Sequence, residues 1–188
     1  MDKSPQKELV SNSQIAMIIF IAAELMFFSG LISTFLVFRF SGEPWPPPFQ
    51  PRFPIPLTAI NTVLLTISSF TMWQTQKKIK QKSNFLSSFS ITIFLGITFL
   101  LIQGFEWIKM LNFGLSAKTT PYGSTFYVII GTHAAHVLGA VIWLFLLFLK
   151  VLIKKPENLT DSNVSLCAMY WHMVVGLWPI LFILVYLI

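Results

Sequence analysis

Tyr-Gly-Ser-Thr-Phe-Tyr-Val-Ile-Ile-Gly-Thr-His-Ala-Ala-His-Val-Leu-Gly-Ala-Val-Ile-Trp, residues 122–143, runs on through leucines and phenylalanines to Lys150. At ~1.5 Å per residue this stretch is long enough to cross a hydrocarbon core of ~30 Å as a helix. Near its middle stand His133 and His136. An imidazole in hydrocarbon needs partners, so this helix must face other protein. Gly131, Ala135 and Gly139 recur every four residues. Such a small-residue ridge lets a neighbouring helix approach closely. His136 flanks the ridge and His133 points more to its far side, which predicts a central helix with neighbours on at least two faces.

The rest of the chain has the same character. Of 188 residues, 55% are hydrophobic and only 11% charged, against about 25% charged in a soluble domain. The composition is that of an integral membrane protein. Nineteen Phe and six Trp suit lipid contact and interfacial belts. The net charge of +6 carries no nucleic-acid signal, because the cations sit in short loops between apolar runs. A single cysteine, Cys167, leaves no intrachain disulfide and no cysteine cluster for a metal.

Five apolar runs predict an all-α, polytopic bundle with spans at about 15–40, 56–76, 85–109, 124–150 and 164–188, after a polar tail over 1–14. The first run is too long for a secretory signal core and reads as a retained span. Helices are required, since lipid offers backbone groups no partners and five spans cannot close a barrel. Lys3, Lys7, Lys77, Lys78, Lys80, Lys82, Lys150, Lys154 and Lys155 fall on one side; Arg39, Arg52, Lys109 and Lys118 fall on the other. Nine against four places the N-terminus in the cytoplasm and the C-terminus outside. Between the first two spans, residues 42–56 hold seven of the eleven prolines. That loop is stiff and extended, and either docks a partner or only joins two spans.

The polar residues inside the spans are the candidate functional residues. Glu24 lies about ten residues into the first span, where a carboxylate costs ~2.5–3.5 kcal/mol on insertion scales. It is either a proton-, lipid- or gas-pathway residue or one end of a buried interhelical hydrogen bond. Asn61, Thr62, Thr66 and Ser69 form a polar stripe on the second helix; such stripes fasten helices at ~0.6 kcal/mol per bond or line a pathway. Glu106, His133, His136 and His172 admit three readings. A carboxylate with histidines at i and i+3 is a metal-ligand pattern. His133 or His136 with His172 is a haem clamp between two helices. The third reading is histidines satisfied by their own packing.

These motifs, taken together and in order, resemble subunit III of haem-copper terminal oxidases, in the five-helix bacterial form that lacks the first two of seven helices. Glu-Leu-Met-Phe-Phe-Ser-Gly (24–30) is similar to the family's Glu-x-x-Phe-Phe-x-Gly segment. Pro56 through Thr71, with Ile-Asn-Thr-Val-Leu-Leu (60–65) and Ser68-Ser69, resembles its Pro and Asn-Thr helix. Gln-Gly-Phe-Glu-Trp (103–107) looks like its Gln-x-x-Glu-Tyr/Trp motif. Tyr-Gly-Ser-Thr-Phe (122–126) with Gly-Thr-His-Ala-Ala-His-Val (131–137) is the most specific match, and Tyr-Trp-His (170–172) with Trp178 resembles the last helix.

The resemblance implies a multi-pass protein of the bacterial cytoplasmic membrane with no catalytic residue, metal, haem or copper of its own. It implies a place beside the catalytic subunit I and subunit II, whose haem and copper reduce dioxygen while protons move, and membership of a larger respiratory supercomplex is compatible with it. It implies a cleft holding phospholipid, with Lys150 at a headgroup and Glu24, the family's carbodiimide-reactive glutamate, near the cleft and the proposed oxygen route. A cytochrome c oxidase is the expectation; a quinol oxidase subunit III and a nitric oxide reductase accessory subunit are the related alternatives. A stand-alone membrane haem protein and a transporter are alternatives of another class. One departure is clear: the family's Trp-His-x-x-Asp-x-x-Trp has Val175 at its aspartate, and Pro179 follows Trp178. Pro179 is expected to kink the fifth helix or free a carbonyl.

Overall fold

The computed structural model describes residues 11–42, 44–45, 47–48, 55–118, 120–153 and 161–187. Lys3, Lys7, Arg52, Lys154, Lys155 and most of the proline-rich loop lie outside the described residues. Five helices are long and apolar enough to cross a membrane, as the apolar runs predict. They are α1 (Asn12–Arg39), α2 (Ile55–Lys80), α3 (Leu86–Asn112), α4 (Pro121–Ile153) and α5 (Asp161–Phe182). No strand occurs among the described residues. Most helices outrun the predicted apolar spans by up to a turn, because backbone pairing continues into the interfacial zone where the side chains turn polar. The cationic turn of α2 at Lys77–Lys80 is such a continuation.

Local chemistry sets the ends. Ser11 Oγ accepts from the Gln14 N–H at 3.3 Å while Gln14 Oε1 accepts from the Ser11 N–H at 3.1 Å, a capping box that starts α1. Past α3, Gly114 takes φ +88° and the Leu115 N–H reaches back to the Met110 carbonyl at 3.1 Å, the Schellman ending that favours glycine. The end of α2 is built the same way, with the Ser83 N–H on the Lys78 carbonyl at 3.0 Å. There, however, Lys82 occupies the left-handed position at φ 52°, at a cost of ~1–2 kcal/mol.

Helices α2, α3, α4 and α5 pack in a closed ring, each against the next, and α1 lies outside it in the seam between α4 and α5. The small-residue helix is thus central, touching α1, α3 and α5. Because lipid is as apolar as leucine, fit and polar contacts hold such a ring together. The fit centres on large rings: Trp171, Trp178, Phe28, Phe35, Phe89, Phe99 and Phe126 are fully buried. Phe99 meets Trp178 edge to face, centroids 4.9 Å apart. Helix α1 contributes only Phe28 and Phe35 as buried side chains. Its outer face is left to Ile18, Ile19, Met26, Val37 and similar residues. The fifth helix passes through Pro179 and widens into π-helical turns over Ile183–Leu187. Pro179 has no N–H to offer the Val175 carbonyl, and the wider winding begins four residues later.

Candidate functional site: polar pairs between apolar helices

Two of the ionisable groups inside the spans, both only partly buried, meet each other. His136 Nε2 on α4 lies 2.9 Å from Glu24 Oε2 on α1, with side chains 20% and 17% exposed. His136 Nδ1 is 2.7 Å from the Thr132 carbonyl one turn back. A carbonyl can only accept, so Nδ1 carries a proton. One further proton then lies between Nε2 and Oε2, written either as a carboxylic acid donating to imidazole or as imidazolium donating to carboxylate. Both forms are neutral overall, which is why the pair is tolerable at this depth. The Phe28 ring stands edge-on to His136 at 5.2 Å and Phe27 stacks on it at 6.4 Å. The contact pins the outlying α1 to the ring of four helices.

His133, one turn earlier, has a different setting. It is fully buried and stacks on Trp178, with centroids 5.0 Å and planes 26° apart. Phe28 and Phe99 close over its edges at 6.3 Å each. Neither ring nitrogen has a hydrogen-bond partner among the described residues. A haem bound to His133 would have to displace those three aromatic rings. His172 is elsewhere again, with Nδ1 2.6 Å from Ser69 Oγ on α2.

Glu106 belongs to a third place. It is buried six residues before the end of α3 and accepts from the Thr58 hydroxyl on α2, 2.9 and 3.0 Å from its two oxygens. One turn back, Gln103 Nε2 donates to the Tyr186 hydroxyl at 3.2 Å, bringing the π-helical turns to the same end. The structure therefore separates Glu106 from His136 and His172. Among the described residues, no three or more His, Cys, Asp or Glu side chains come close enough to hold a metal ion.

The polar stripe of α2 is spent largely on helix contacts. Asn61 Nδ2 donates to the Phe99 carbonyl at 3.2 Å, and Trp178 Nε1 donates to Thr62 Oγ1 at 2.9 Å. Thr66 returns its hydroxyl to the Thr62 carbonyl of its own helix at 2.8 Å. Thr58 continues the Thr62, Thr66 spacing toward the N-terminus, and that i−4 extension is the signal by which Glu106's partner was readable. The small-residue ridge faces outward: Ala135 and Gly139 are exposed, and a Cβ at Gly139 would meet nothing within 4 Å. At Gly131, by contrast, a Cβ would lie 3.5 Å from the Trp107 ring. Lys150 is exposed in the last turn of α4.

Comparison with known proteins matches residues 6–188 to the sequence model of the family described as cytochrome c oxidase subunit III. The chain belongs to that family. A cytochrome c oxidase subunit 3 of Synechocystis sp. is 35% identical, covering 91% of this chain and 73% of the relative. One from Bacillus subtilis is 31% identical, covering 98% and 91%. A probable quinol oxidase subunit 3 of Staphylococcus haemolyticus is 28% identical, covering 90% and 86%. The resemblance read from the motifs is borne out, and this is a multi-pass subunit III of a terminal oxidase. In subunit III terms, the polar pairs lie between helices of one subunit, and the small-residue ridge looks away from it.

Proposed function

We propose that this subunit III is a non-catalytic part of a bacterial oxidase of the cytochrome c type, seated beside subunits I and II, which carry the haem and copper. The observation that carries the reading is the Glu24–His136 contact: acid and imidazole fasten one helix to another. Glu106 on Thr58 and His172 on Ser69 do the same. A bacterial cytoplasmic membrane is favoured by the bacterial sources of the Synechocystis, B. subtilis and S. haemolyticus relatives. The cytochrome c donor is favoured by the higher identity to relatives so named, 35% and 31% against 28% for the quinol oxidase relative.

The orientation follows the cations, with the ends of α2 and α4 that carry Lys77, Lys78, Lys80 and Lys150 at the cytoplasmic face. There Lys150 reaches a lipid phosphate, and the flank of α1 beside Glu24 holds acyl chains. Gentle-detergent purification through a tag on this chain tests the reading. Subunits I and II should travel with it, together with copper and a high-spin haem. Non-haem iron in place of copper would make the partner a nitric oxide reductase. A Soret band from the chain freed of partners would overturn the non-catalytic role.

A further inference from the structure

The last turn of α2 carries Lys77, Lys78 and Lys80, and their ammonium groups are not equivalent. Lys78 donates to Ser88 Oγ on α3 at 2.6 Å. Lys77 lies 5.6 Å from the centre of the Trp73 ring. Lys80 is exposed and has no hydrogen-bond or ion-pair partner among the described residues. It borders a recess of about 20 Å³ between α2 and α5, whose other walls are Gln76, Ile79, Val164 and Ser165. The donor set is one ammonium, one carboxamide and one hydroxyl over two aliphatic side chains, with no carboxylate among the described residues of the lining. That set fits a singly charged oxyanion. The volume slightly exceeds the ~10–15 Å³ that one water needs, so one oxygen of a tetrahedral anion enters while the rest stays at the mouth.

The outer seam of the same two helices runs from the recess toward the bilayer centre. On α2, Trp73 is half-exposed one turn before Lys77. On α5, a Cβ at Gly176 would meet nothing within 4 Å, and Ile180 beyond it is exposed. The Ser69–His172 contact ties the two helices along this line. An anion site continued by an apolar corridor has the layout of a phospholipid. The structure assigns the α2–α5 seam as a binding site for an anionic glycerophospholipid. A phosphodiester oxygen enters the recess beside Lys80, and an acyl chain lies over Trp73 toward Gly176. A free phosphate would use the recess but has no use for the seam. This seam is not the α1–α4 flank where Glu24 stands, and the inference does not depend on which electron donor the oxidase uses.

The test is photocrosslinking in the whole complex, held in phosphatidylcholine nanodiscs containing a minority of photoactivatable phosphatidylglycerol. Labelled peptides should come from α2 around Trp73–Lys80 and from α5 around Ser165–Ile180. Lys80→Gln should lower that labelling about fivefold, the equivalent of ~1 kcal/mol for one cation at an anionic surface. Lys82→Gln removes the same charge at the same end without touching the recess, and should lower it less than twofold. Gly176→Leu, which fills the corridor, should reduce the α5 label whether or not the lysine variant assembles. Equal losses from Lys80→Gln and Lys82→Gln would overturn the site in favour of diffuse surface charge. Labelling by photoactivatable phosphatidylcholine to the same extent would overturn its charge selection. Displacement of the wild-type label by inorganic phosphate would make the ligand a free anion. A label seen only once partner subunits are removed would make the seam a protein interface.

Discussion

Replacing Glu24 and His136 together by leucine should harm the protein less than replacing either one. Each single substitution leaves the other polar group facing apolar surroundings. An orphaned buried partner costs ~1–3 kcal/mol. The side chains are 20% and 17% exposed, at a depth where that exposure is to hydrocarbon, and the low end applies because polar groups of membrane helices find other partners in the opened state as well. About 1 kcal/mol makes opening of the bundle about fivefold easier. The double substitution removes both groups and sets two leucines against Phe27 and Phe28; such replacements of an ion pair are often neutral. The coupling this implies, ~1.5–1.9 kcal/mol for a double variant between twofold and no loss, is at the ~1.7 kcal/mol maximum measured for polar contacts between membrane helices. Cys167 supplies the reporter, since it is the chain's lone thiol and is buried. Peptide-resolved maleimide labelling of Cys167 in the purified complex should run about fivefold faster in each single variant and within about twofold of wild type in the double. If instead the double variant labelled at about the product of the two single rates, ~25-fold, the two residues would be energetically independent and the contact would not be what holds α1.

Four other substitutions probe single features. Gly123→Ala would set a Cβ against the Ser116 carbonyl oxygen, in backbone that cannot swing aside. It should destabilise the chain by ~1–3 kcal/mol, read as a lower thermal midpoint of the complex, and an unchanged midpoint would refute the close crossing. Lys82→Gly should stabilise the α2–α3 turn by ~1 kcal/mol, because glycine adopts φ 52° without strain; a loss of stability would show that Lys82 makes a compensating contact. Glu24→Gln should abolish carbodiimide labelling of this chain while the complex still assembles, and residual labelling at wild-type level would move the reactive carboxyl elsewhere. Gly139→Leu alters the outward ridge, since a Cβ there would meet no neighbouring helix within 4 Å among the described residues. It should lower the yield of subunits I and II without unfolding the bundle, and a normal yield would clear the ridge of any docking role. Gly131→Leu is the poorer probe, because its side chain would first meet Trp107 of the same chain.

Span number was legible because it depends only on length and polarity along the chain. Helix rotation was not, and the reason is physical. His133 and His136 are three residues apart, about 60° around a helix, so both can face one neighbour. In a soluble bundle the apolar stripe would say which of them points inward; in a bilayer the outside is as apolar as the inside. The structure divides them, closing His133 under Trp178 and turning His136 to Glu24. The ridge of Gly131, Ala135 and Gly139 carried no sign of whether it faces inward or outward. Small residues mark close approach to any helix, whether of the same chain or of another subunit. Long polar-to-polar reach was the better guide. Thr58, Asn61, Thr62 and Ser69 each bond across to another helix, on α3 or α5, and each lies on the α2 stripe or its extension. Where the hydrophobic pattern is mute, groups that cannot face hydrocarbon still fix which surfaces must meet. It follows that a polar side chain is a firmer basis than a glycine ridge for orienting a helix within its own subunit, and that an outward ridge of small residues is better reserved for asking what lies beyond it.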